Sequence, residues 1–259
     1  MSPSISPSIR RELNIALRSF RLPGFGIALL FFALLDPPVI KYMNRILEQV
    51  GGAEEIQIIM PDPTPAMALT QFIGDVAGIG AFVAVVLLMG IVAAEKSNGV
   101  AEWVLTRPVT RSEYLSAKVC VWAVGITVCV FAAGIIAWLY TWSLLGPVSF
   151  SSMVTALVAL SAYLLFISSF TFAGSVVLNS QLAAGLVGVG AMFAGAFVKL
   201  IGSRLGVREY LPYSLSDLAI SAIEGTIAPL EVMPATLCAL IVAFLLLAYA
   251  YRRFARMQL

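Results

Sequence analysis

Six long apolar stretches constrain what this chain can fold into more than any other feature of its sequence. They cover about residues 22–41, 72–94, 116–142, 151–177, 182–201 and 233–251. A helix of about 20 apolar residues crosses the hydrocarbon core of a bilayer, so each stretch predicts a transmembrane helix. The first stretch is interrupted by Asp36-Pro37-Pro38, and we expect it either to cross with a kink or to stop short. The sequence therefore predicts an all-α polytopic membrane protein, with residues 1–259 forming a single transmembrane domain.

The composition excludes several classes of protein. The chain is 60% hydrophobic and 12% charged, whereas a soluble domain carries about 25% charged residues. A soluble enzyme and a nucleic-acid-binding protein are therefore excluded. The sequence contains no histidine, which excludes His-ligated metal sites and Ser–His catalysis. It also lacks the Gly-rich phosphate-binding loop of ATPases, so we predict no catalytic residue, metal ligand or cofactor in this chain.

The Lys and Arg residues predict the orientation of the chain in the membrane. With the N-terminus placed inside, the inner segments contain 11 of the 16 basic residues and the outer segments contain 5. Because Lys and Arg collect on the cytoplasmic side of membrane proteins, both termini are predicted to be cytoplasmic. The basic N-terminal segment leads into an apolar run without a small-residue cleavage site, so we expect a retained first span in the plasma (inner) membrane.

Residues 8–21 are predicted to form an amphipathic helix that precedes the first span. At helical spacing their apolar side chains share one arc, and their Arg and Asn side chains share the opposite arc. A basic amphipathic helix beside a span lies in the plane of the lipid headgroups. Two interpretations stay open: a plain topogenic anchor, or a lever that connects the inner leaflet to the first span.

The cytoplasmic segment between the second and third stretches is longer than a plain connection requires. Asn98-Gly99 is expected to end the second helix, and a short helix of about residues 100–106 follows, closed by Pro108. Thr110 and Glu113 have the spacing of a capping box, which predicts the start of the third helix. This organisation holds a small helix between two rigid spans and predicts that it contacts a partner.

A degenerate pattern runs through this segment and consists of Glu95, Gly99, Glu102, Leu105, Arg107, Pro108, Arg111, Glu113, Tyr114, Leu115 and Lys118. It resembles the cytoplasmic loop of ATP-binding-cassette (ABC) transporter permeases of the type-2 exporter family. That loop has a glutamate, a glycine, a short helix ending near a proline, an arginine, and a lysine that opens the next span. The six-span plan with both termini inside fits the same family over nearly the whole chain.

The resemblance implies that residues 95–115 form a coupling helix that docks on a separate cytoplasmic ATPase. It also implies a dimer of permeases, either identical or related, above two ATPase subunits that hold the ATP and Mg²⁺. Buried aromatic residues often anchor interfaces, so Trp103 is added to the predicted contact. The alternative is that Trp103 sits at the headgroup boundary. The predicted ATPase-coupling residues are Glu95, Gly99, Glu102, Trp103, Leu105, Arg107, Pro108, Arg111 and Lys118.

Polar residues inside the apolar stretches are candidates for a translocation path, because ionisable groups are costly in a membrane. Asp36 either caps the helix that follows or lines a cavity of the dimer. Asp75 is expected near the outer end of its span, where a charged side chain reaches water at little cost. Ser168, Ser169 and Asn179 belong to a polar stripe that forms either a hydrophilic wall or satisfied hydrogen bonds between helices.

Two further patterns concern packing. Small residues recur four apart and predict close helix approach, within the fold or at a dimer seam; the pairs are Gly74 with Gly78, Ala184 with Gly188, and Ala191 with Gly195. Residues 39–50 and 215–224 predict amphipathic helices at the outer surface. For the second of these, Ser214 with Asp217 predicts a near capping box and Gly225 predicts the C-terminal stop.

Three functions remain open at the level of the sequence. The first is the membrane subunit of an ABC exporter, which binds and couples but does not itself hydrolyse ATP. The second is an ATP-independent channel or secondary transporter that uses Asp36 and Asp75. The third is a structural subunit of a larger membrane complex. The sequence does not name a cargo, although apolar walls favour an amphipathic one.

Overall fold

The computed structural model describes residues 5–50, 62–100 and 110–256, which fold into helices and turns without any strand. The helices are α1 (Ile5–Arg18), α2 (Arg21–Val50), α3 (Pro65–Asp75), α4 (Ala81–Leu88), α5 (Ala93–Ser97), α6 (Arg111–Leu145), α7 (Phe150–Val177), α8 (Gln181–Leu205), α9 (Leu215–Ile223) and α10 (Met233–Ala255). In these described ranges, six helical segments are long and apolar enough to cross a membrane. They are Arg21–Met43, Pro65–Ser97, Arg111–Leu145, Phe150–Val177, Gln181–Leu205 and Pro229–Ala255. The predicted all-α polytopic fold is confirmed.

The first span is an uninterrupted helix. Helix α2 runs through both Pro37 and Pro38, so of the two expected outcomes, a kinked crossing or a helix that stops short, the second is wrong. Inside a bilayer an α-helix is the conformation that satisfies its own backbone, and neighbouring helices compensate for the bonds that proline removes. Residues 39–50, which were expected to form a separate helix on the outer surface, instead continue α2.

The second span departs twice from α-helical geometry. It begins at Pro65, where the Thr64 Oγ1 accepts a hydrogen bond from the Met67 backbone N–H at 3.3 Å. This cap places the start several residues before the predicted one. A π-helical turn follows α3 at Val76–Gly80, and a second irregular turn separates α4 from α5.

A serine on the fourth span satisfies the second irregular turn of the second span. The backbone N–H groups of Val92 and Ala93 both donate to the Ser175 Oγ, each at 3.0 Å. A broken helix exposes amide groups that cost several kcal/mol if they stay unpaired in lipid. Ser175 therefore makes the break compatible with its place in the membrane.

Helix α1 is amphipathic, as predicted, and packs beside the bundle. Phe20, with a φ of +58°, separates it from the first span. Glu12 and Ala16 face the bundle and are buried, whereas Leu13 and Leu17 are exposed. This exposed apolar arc is typical of a helix that lies in the surface of a bilayer.

Helix α1, the first turns of α6 and the last turn of α10 meet at one end of the bundle, which we call the basal end. There the Arg111 Nη1 donates to the backbone oxygens of Phe254 and Ala255, at 3.2 and 3.3 Å. The Tyr114 ring stacks on the Phe254 ring with 5.7 Å between centroids. The N-terminal helix and the end of the last span therefore lie at the same end of the molecule.

Several of the predicted small residues allow close packing within the fold. A Cβ atom on Gly188 would collide with the Thr171 Oγ1, and one on Gly195 would collide with the Tyr213 ring. By contrast, a Cβ atom on Gly74 or Gly78 would meet no described side chain within 4 Å. The small residues of α8 thus serve contacts inside the chain, and the pair on the second span leaves an open surface.

At the end of the bundle opposite α1, helix α9 is held by an ion-pair network rather than by the predicted cap. Ser214 makes no side-chain capping bond to the described part of α9, while the Asp217 carboxylate binds the Lys199 Nζ and Arg208 Nη2 at 2.8 Å each. Burial alone would raise the pKa of Asp217, but the bonds to Lys199 and Arg208 outweigh it and hold the pKa below its usual range. Gly225, with a φ of +71°, follows the helix as predicted.

Candidate functional site

A buried ionic cluster occupies the basal end of the bundle. The Lys118 Nζ lies 3.0 and 3.2 Å from the two carboxylate oxygens of Glu12 and 2.8 Å from the Glu95 Oε1. The Tyr114 hydroxyl donates to the Glu95 Oε2 at 2.5 Å. The Lys118 side chain is 1% exposed, and that of Glu12 is 8% exposed. We call these four residues the Lys118 cluster.

Local sequence explains how the third span presents its two members of the cluster. The Glu113 backbone N–H donates to the Thr110 Oγ1 at 3.2 Å, and the Thr110 backbone N–H donates to the Glu113 Oε2 at 2.8 Å. This is the predicted capping box, and it fixes where α6 begins. Tyr114 and Lys118 then follow four residues apart, which places both side chains on one face of the helix.

The electrostatics of the Lys118 cluster explain why it tolerates burial. One ammonium group lies between two carboxylates and also 5.1 Å from the centre of the Tyr114 ring, a cation–π distance. The Tyr114 hydroxyl supplies a further donor to Glu95 and offsets part of the excess negative charge. Buried charges persist only when they are paired and hydrogen-bonded in this way.

The Lys118 cluster joins three separate parts of the chain. Glu12 comes from α1, Glu95 comes from the end of the second span, and Tyr114 and Lys118 come from the start of the third. The two ends of the predicted coupling segment, 95–115, are therefore fastened to one another and to the amphipathic helix. A displacement of the segment would move all three parts together.

The structure brings together some of the predicted coupling residues and separates others. Glu95 and Lys118 form an ion pair, while Arg111 binds the last backbone oxygens of α10. Gly99 adopts a φ of +70° and follows the end of α5, as predicted from Asn98-Gly99. The remaining predicted positions lie outside the described residues, and they are Glu102, Trp103, Leu105, Arg107 and Pro108.

Sequence reasoning missed Glu12 and Tyr114 as members of the site. The signal for Glu12 was present, because an acidic residue on the arc of Ile9 and Ala16 interrupts the apolar face of a basic helix. A carboxylate in that place needs a cation on the surface against which the helix packs. The signal for Tyr114 is weaker, since a tyrosine near a headgroup boundary is common in any span.

A crevice of about 220 Å³ lies between the second, third, fourth and sixth spans. Its walls are apolar except for Ser168, Ser169 and Trp122. The Ser169 Oγ donates to the Phe166 backbone oxygen at 2.7 Å, whereas the Ser168 hydroxyl has no hydrogen-bond partner among the described residues. Asn179 is exposed in the turn after α7 and does not belong to this crevice. The predicted polar stripe is therefore not continuous: Ser168 and Ser169 line the crevice, and Asn179 lies outside it.

The two acidic candidates lie inside the bundle. Asp36 is 3% exposed and sits within helix α2, so it does not cap a following helix. Asp75 is the last residue of α3 and lies deeper in its span than predicted, because that span begins at Pro65. The carboxyl group of Asp36 lies within hydrogen-bonding range of that of Asp75. The Asp75 Oδ2 also accepts a bond from the Gln71 Nε2 at 3.0 Å.

Fold and site together define a polytopic α-helical membrane protein with the buried Lys118 cluster at one end. The chain belongs to the DUF2705 family, whose model, described as "Protein of unknown function (DUF2705)", matches residues 63–259. It is also 30% identical over 192 residues to the "Uncharacterized transmembrane protein YxlG" of Bacillus subtilis (strain 168). That alignment covers 73% of this chain and 74% of the relative.

Proposed function

We propose that this protein is the membrane-spanning subunit of an ATP-driven ABC transporter of the exporter type. It dimerises in the plasma membrane with both termini in the cytoplasm, and it engages a separate ATPase through residues 95–115. The observation that carries the proposal is the Lys118 cluster, in which Lys118 binds Glu95 and Glu12 at distances of 2.8 to 3.2 Å. Six spans and the sequence pattern of the 95–115 segment support the same function.

The proposed mechanism is conformational coupling without catalysis in this chain. ATP and Mg²⁺ bind to the partner ATPases, whose approach displaces the 95–115 segment. The ion pairs of Lys118 transmit this displacement to α1 and to the second and third spans. The irregular turn between α4 and α5 lies close to Glu95 in the chain, so the second span can change direction there while the buried backbone N–H groups of Val92 and Ala93 stay bonded to Ser175.

The crevice supports an amphipathic cargo. It is lined by apolar side chains from four spans, with Ser168 and Ser169 as polar points in its wall. Pockets of this character hold an apolar body and fix its orientation with few polar groups. A lipid, a peptide or a lipophilic drug has this chemistry, whereas an inorganic ion does not.

The first test is purification from native membranes in mild detergent, followed by mass spectrometry of the bound subunits. A stoichiometric cytoplasmic ATPase is the expected result. Trp103→Ala removes a predicted aromatic anchor, and losing such an anchor costs about 2 kcal/mol or more, which weakens binding more than tenfold. Glu102→Arg reverses a charge at the same contact and should also reduce the amount of co-purified ATPase.

Matched controls come from the opposite end of the bundle. Trp142, at the far end of α6, and Glu224, after α9, are both exposed. Trp142→Ala and Glu224→Arg should leave the amount of bound ATPase unchanged. Equal co-purification with all four variants, or a chain that purifies without any ATPase, would contradict the proposal.

The Asp36–Asp75 contact favours one alternative function, an ATP-independent channel or secondary transporter. Such a protein would move its cargo across the membrane of reconstituted vesicles without ATP. Substituting Asp36 or Asp75 with Asn would then abolish the flux. A structural subunit of a larger complex would show neither ATP-independent flux nor a bound ATPase, which separates all three functions in one preparation.

A further inference from the structure

The first unusual feature is a buried carboxyl group within a membrane span. Asp36 lies about 20 Å along the first span from Arg21, given a rise of about 1.5 Å per residue, and it is 3% exposed. Its Oδ2 is buried and finds no hydrogen-bond donor among the described groups. An ionised carboxylate in such a place is costly without a partner.

The second feature is the position of Asp75 opposite Asp36. Gly80 of the second span packs against the side chain of Leu29 of the first span. Consecutive spans are antiparallel, so about two turns along the first span from Leu29 and about one and a half turns along the second span from Gly80 bring Asp36 roughly level with Asp75. Their carboxyl groups lie within hydrogen-bonding range of one another at this level.

Among the described residues, the neighbouring spans supply no cation to this pair. Helix α9 also packs against α3, but the cations beside it, Lys199 and Arg208, are bound to Asp217. The second span has no Lys or Arg from Pro65 to Glu95, and the third span has none beyond Lys118, which is already paired with Glu12. Its other titratable groups beyond Lys118 are Cys120, Cys129 and Tyr140, which are neutral when protonated. On the first span itself, Lys41 lies five residues beyond Asp36 and near the ring of Tyr42, at 5.8 Å.

Two adjacent carboxylates inside a membrane, one of them buried, are not both ionised without a compensating positive charge. We propose that Asp36 and Asp75 hold one proton between them, so that the pair is a proton-binding site inside the membrane. The hydrogen bonds place this proton on Asp36. Asp75 already accepts a hydrogen bond from Gln71, and the carboxyl group of Asp36 donates a second one to Asp75.

The different exposure of Asp36 and Asp75 indicates how the proton exchanges. Asp36 is closed off, whereas Asp75 is partly exposed and lies beside Gly74 and Gly78, where no described side chain comes within 4 Å of an added Cβ atom. Within this proposal, Asp75 is therefore the member of the pair through which the proton exchanges. Loss of the proton leaves two facing anions, which repel each other and separate the first and second spans.

Both helices are adapted to such a movement at this level. Pro37 and Pro38 follow Asp36 directly, and a proline inside a helix removes a backbone hydrogen bond. The π-helical turn Val76–Gly80 follows Asp75 directly, and turns of this kind occur frequently at functional sites. A proton-binding site here would serve a transporter with any energy source, so it stands independently of the ABC function proposed above.

Infrared spectroscopy of the purified full-length protein in nanodiscs tests the proposal. A protonated carboxyl group has a C=O stretch at higher frequency than carboxylate bands, and this stretch shifts in D₂O. The wild-type protein should show such a band at neutral pH and lose it when the pH is raised. Asp36→Asn should abolish the band, and Asp75→Asn should abolish it or move its pH midpoint. Asp62→Asn, at an exposed position outside the spans, should leave it unchanged.

The amide of Asp36→Asn can still donate a hydrogen bond to Asp75, so this variant is expected to fold. If Asp36→Asn fails to fold, the spectrum of the wild-type protein still tests whether a protonated carboxyl group is present. Absence of the band from the wild-type protein overturns the proposal, as does a band that persists unchanged in both Asp36→Asn and Asp75→Asn. A wild-type protein that lacks the band and is stabilised by Na⁺ or Ca²⁺ would assign a metal cation to the pair instead, and this too overturns the proposal.

Discussion

Removing the ammonium group of Lys118 is the sharpest test of the Lys118 cluster at the basal end. Lys118→Met keeps most of the volume of the side chain but leaves the carboxylates of Glu12 and Glu95 without their cation. Both carboxylates are held within 3.2 Å of the Lys118 Nζ, and the lysine side chain is 1% exposed. The variant therefore creates two uncompensated, largely buried charges.

The expected cost follows from this burial. Breaking a buried ion pair by removing one partner costs about 3–5 kcal/mol, because the remaining charge stays desolvated. Lys199→Met provides a matched control, since its pair with Asp217 is partly exposed, with side chains 30% and 32% accessible. Pairs of that kind contribute about 0–1 kcal/mol. The two Lys→Met variants should therefore differ in unfolding free energy by at least about 2 kcal/mol.

The assay is unfolding of the purified protein in mixed micelles. Circular dichroism and tryptophan fluorescence monitor the transition and give the free energy of unfolding. A triple variant, Glu12→Gln, Glu95→Gln and Lys118→Met, removes every formal charge of the Lys118 cluster and should regain most of the lost stability, because a neutral buried cluster has no unpaired ion. The reasoning is refuted if Lys118→Met is no less stable than Lys199→Met. It is equally refuted if the triple variant is as unstable as Lys118→Met alone.

Two further predictions concern packing and pH. Gly188→Ala forces a Cβ atom against the Thr171 Oγ1 and should cost about 1–3 kcal/mol, whereas Gly190→Ala, with open space around it in the described structure, should be neutral or slightly stabilising in the same unfolding assay. Because Lys199 helps to hold the pKa of Asp217 below its usual range, Asp217 stabilises the fold above the unfolded pKa of about 3.9 and loses this effect as the pH falls through its folded pKa. The difference in melting temperature between wild type and Asp217→Asn should therefore be constant near neutral pH and vanish in acid, and a difference that grows in acid would contradict it.

The parts of the structure that could be predicted from sequence are those set by local rules. Hydropathy identified all six spans, because each is set by the thickness of the bilayer. The Thr110–Glu113 spacing identified the start of α6, because a capping box involves neighbours in sequence. Gly225 and Gly99 were identified as helix-ending residues because positive φ angles favour glycine.

The rest depends on contacts between distant segments or on the membrane itself. Lys118 and Glu12 are more than a hundred residues apart, so their pairing could not be predicted from either local sequence. Asp36-Pro37-Pro38 predicts a helix end in water, yet the lipid environment keeps the first span helical through it. Ser214 with Asp217 has the spacing of a cap, but the nearby cations of Lys199 and Arg208 bind the carboxylate more strongly.

The exposed apolar arc of α1 has a mechanical consequence. Leu13 and Leu17 hold this helix in the surface of the bilayer, while Glu12 fastens it to Lys118 at the start of the third span. When the bilayer becomes thinner, its surface moves toward the midplane and carries α1 with it. Hydrophobic mismatch changes the free energy by fractions of a kcal/mol per Å, and Glu12 would transmit that force to the Lys118 cluster. We therefore expect acyl-chain length and membrane tension to change the load on the Lys118 cluster.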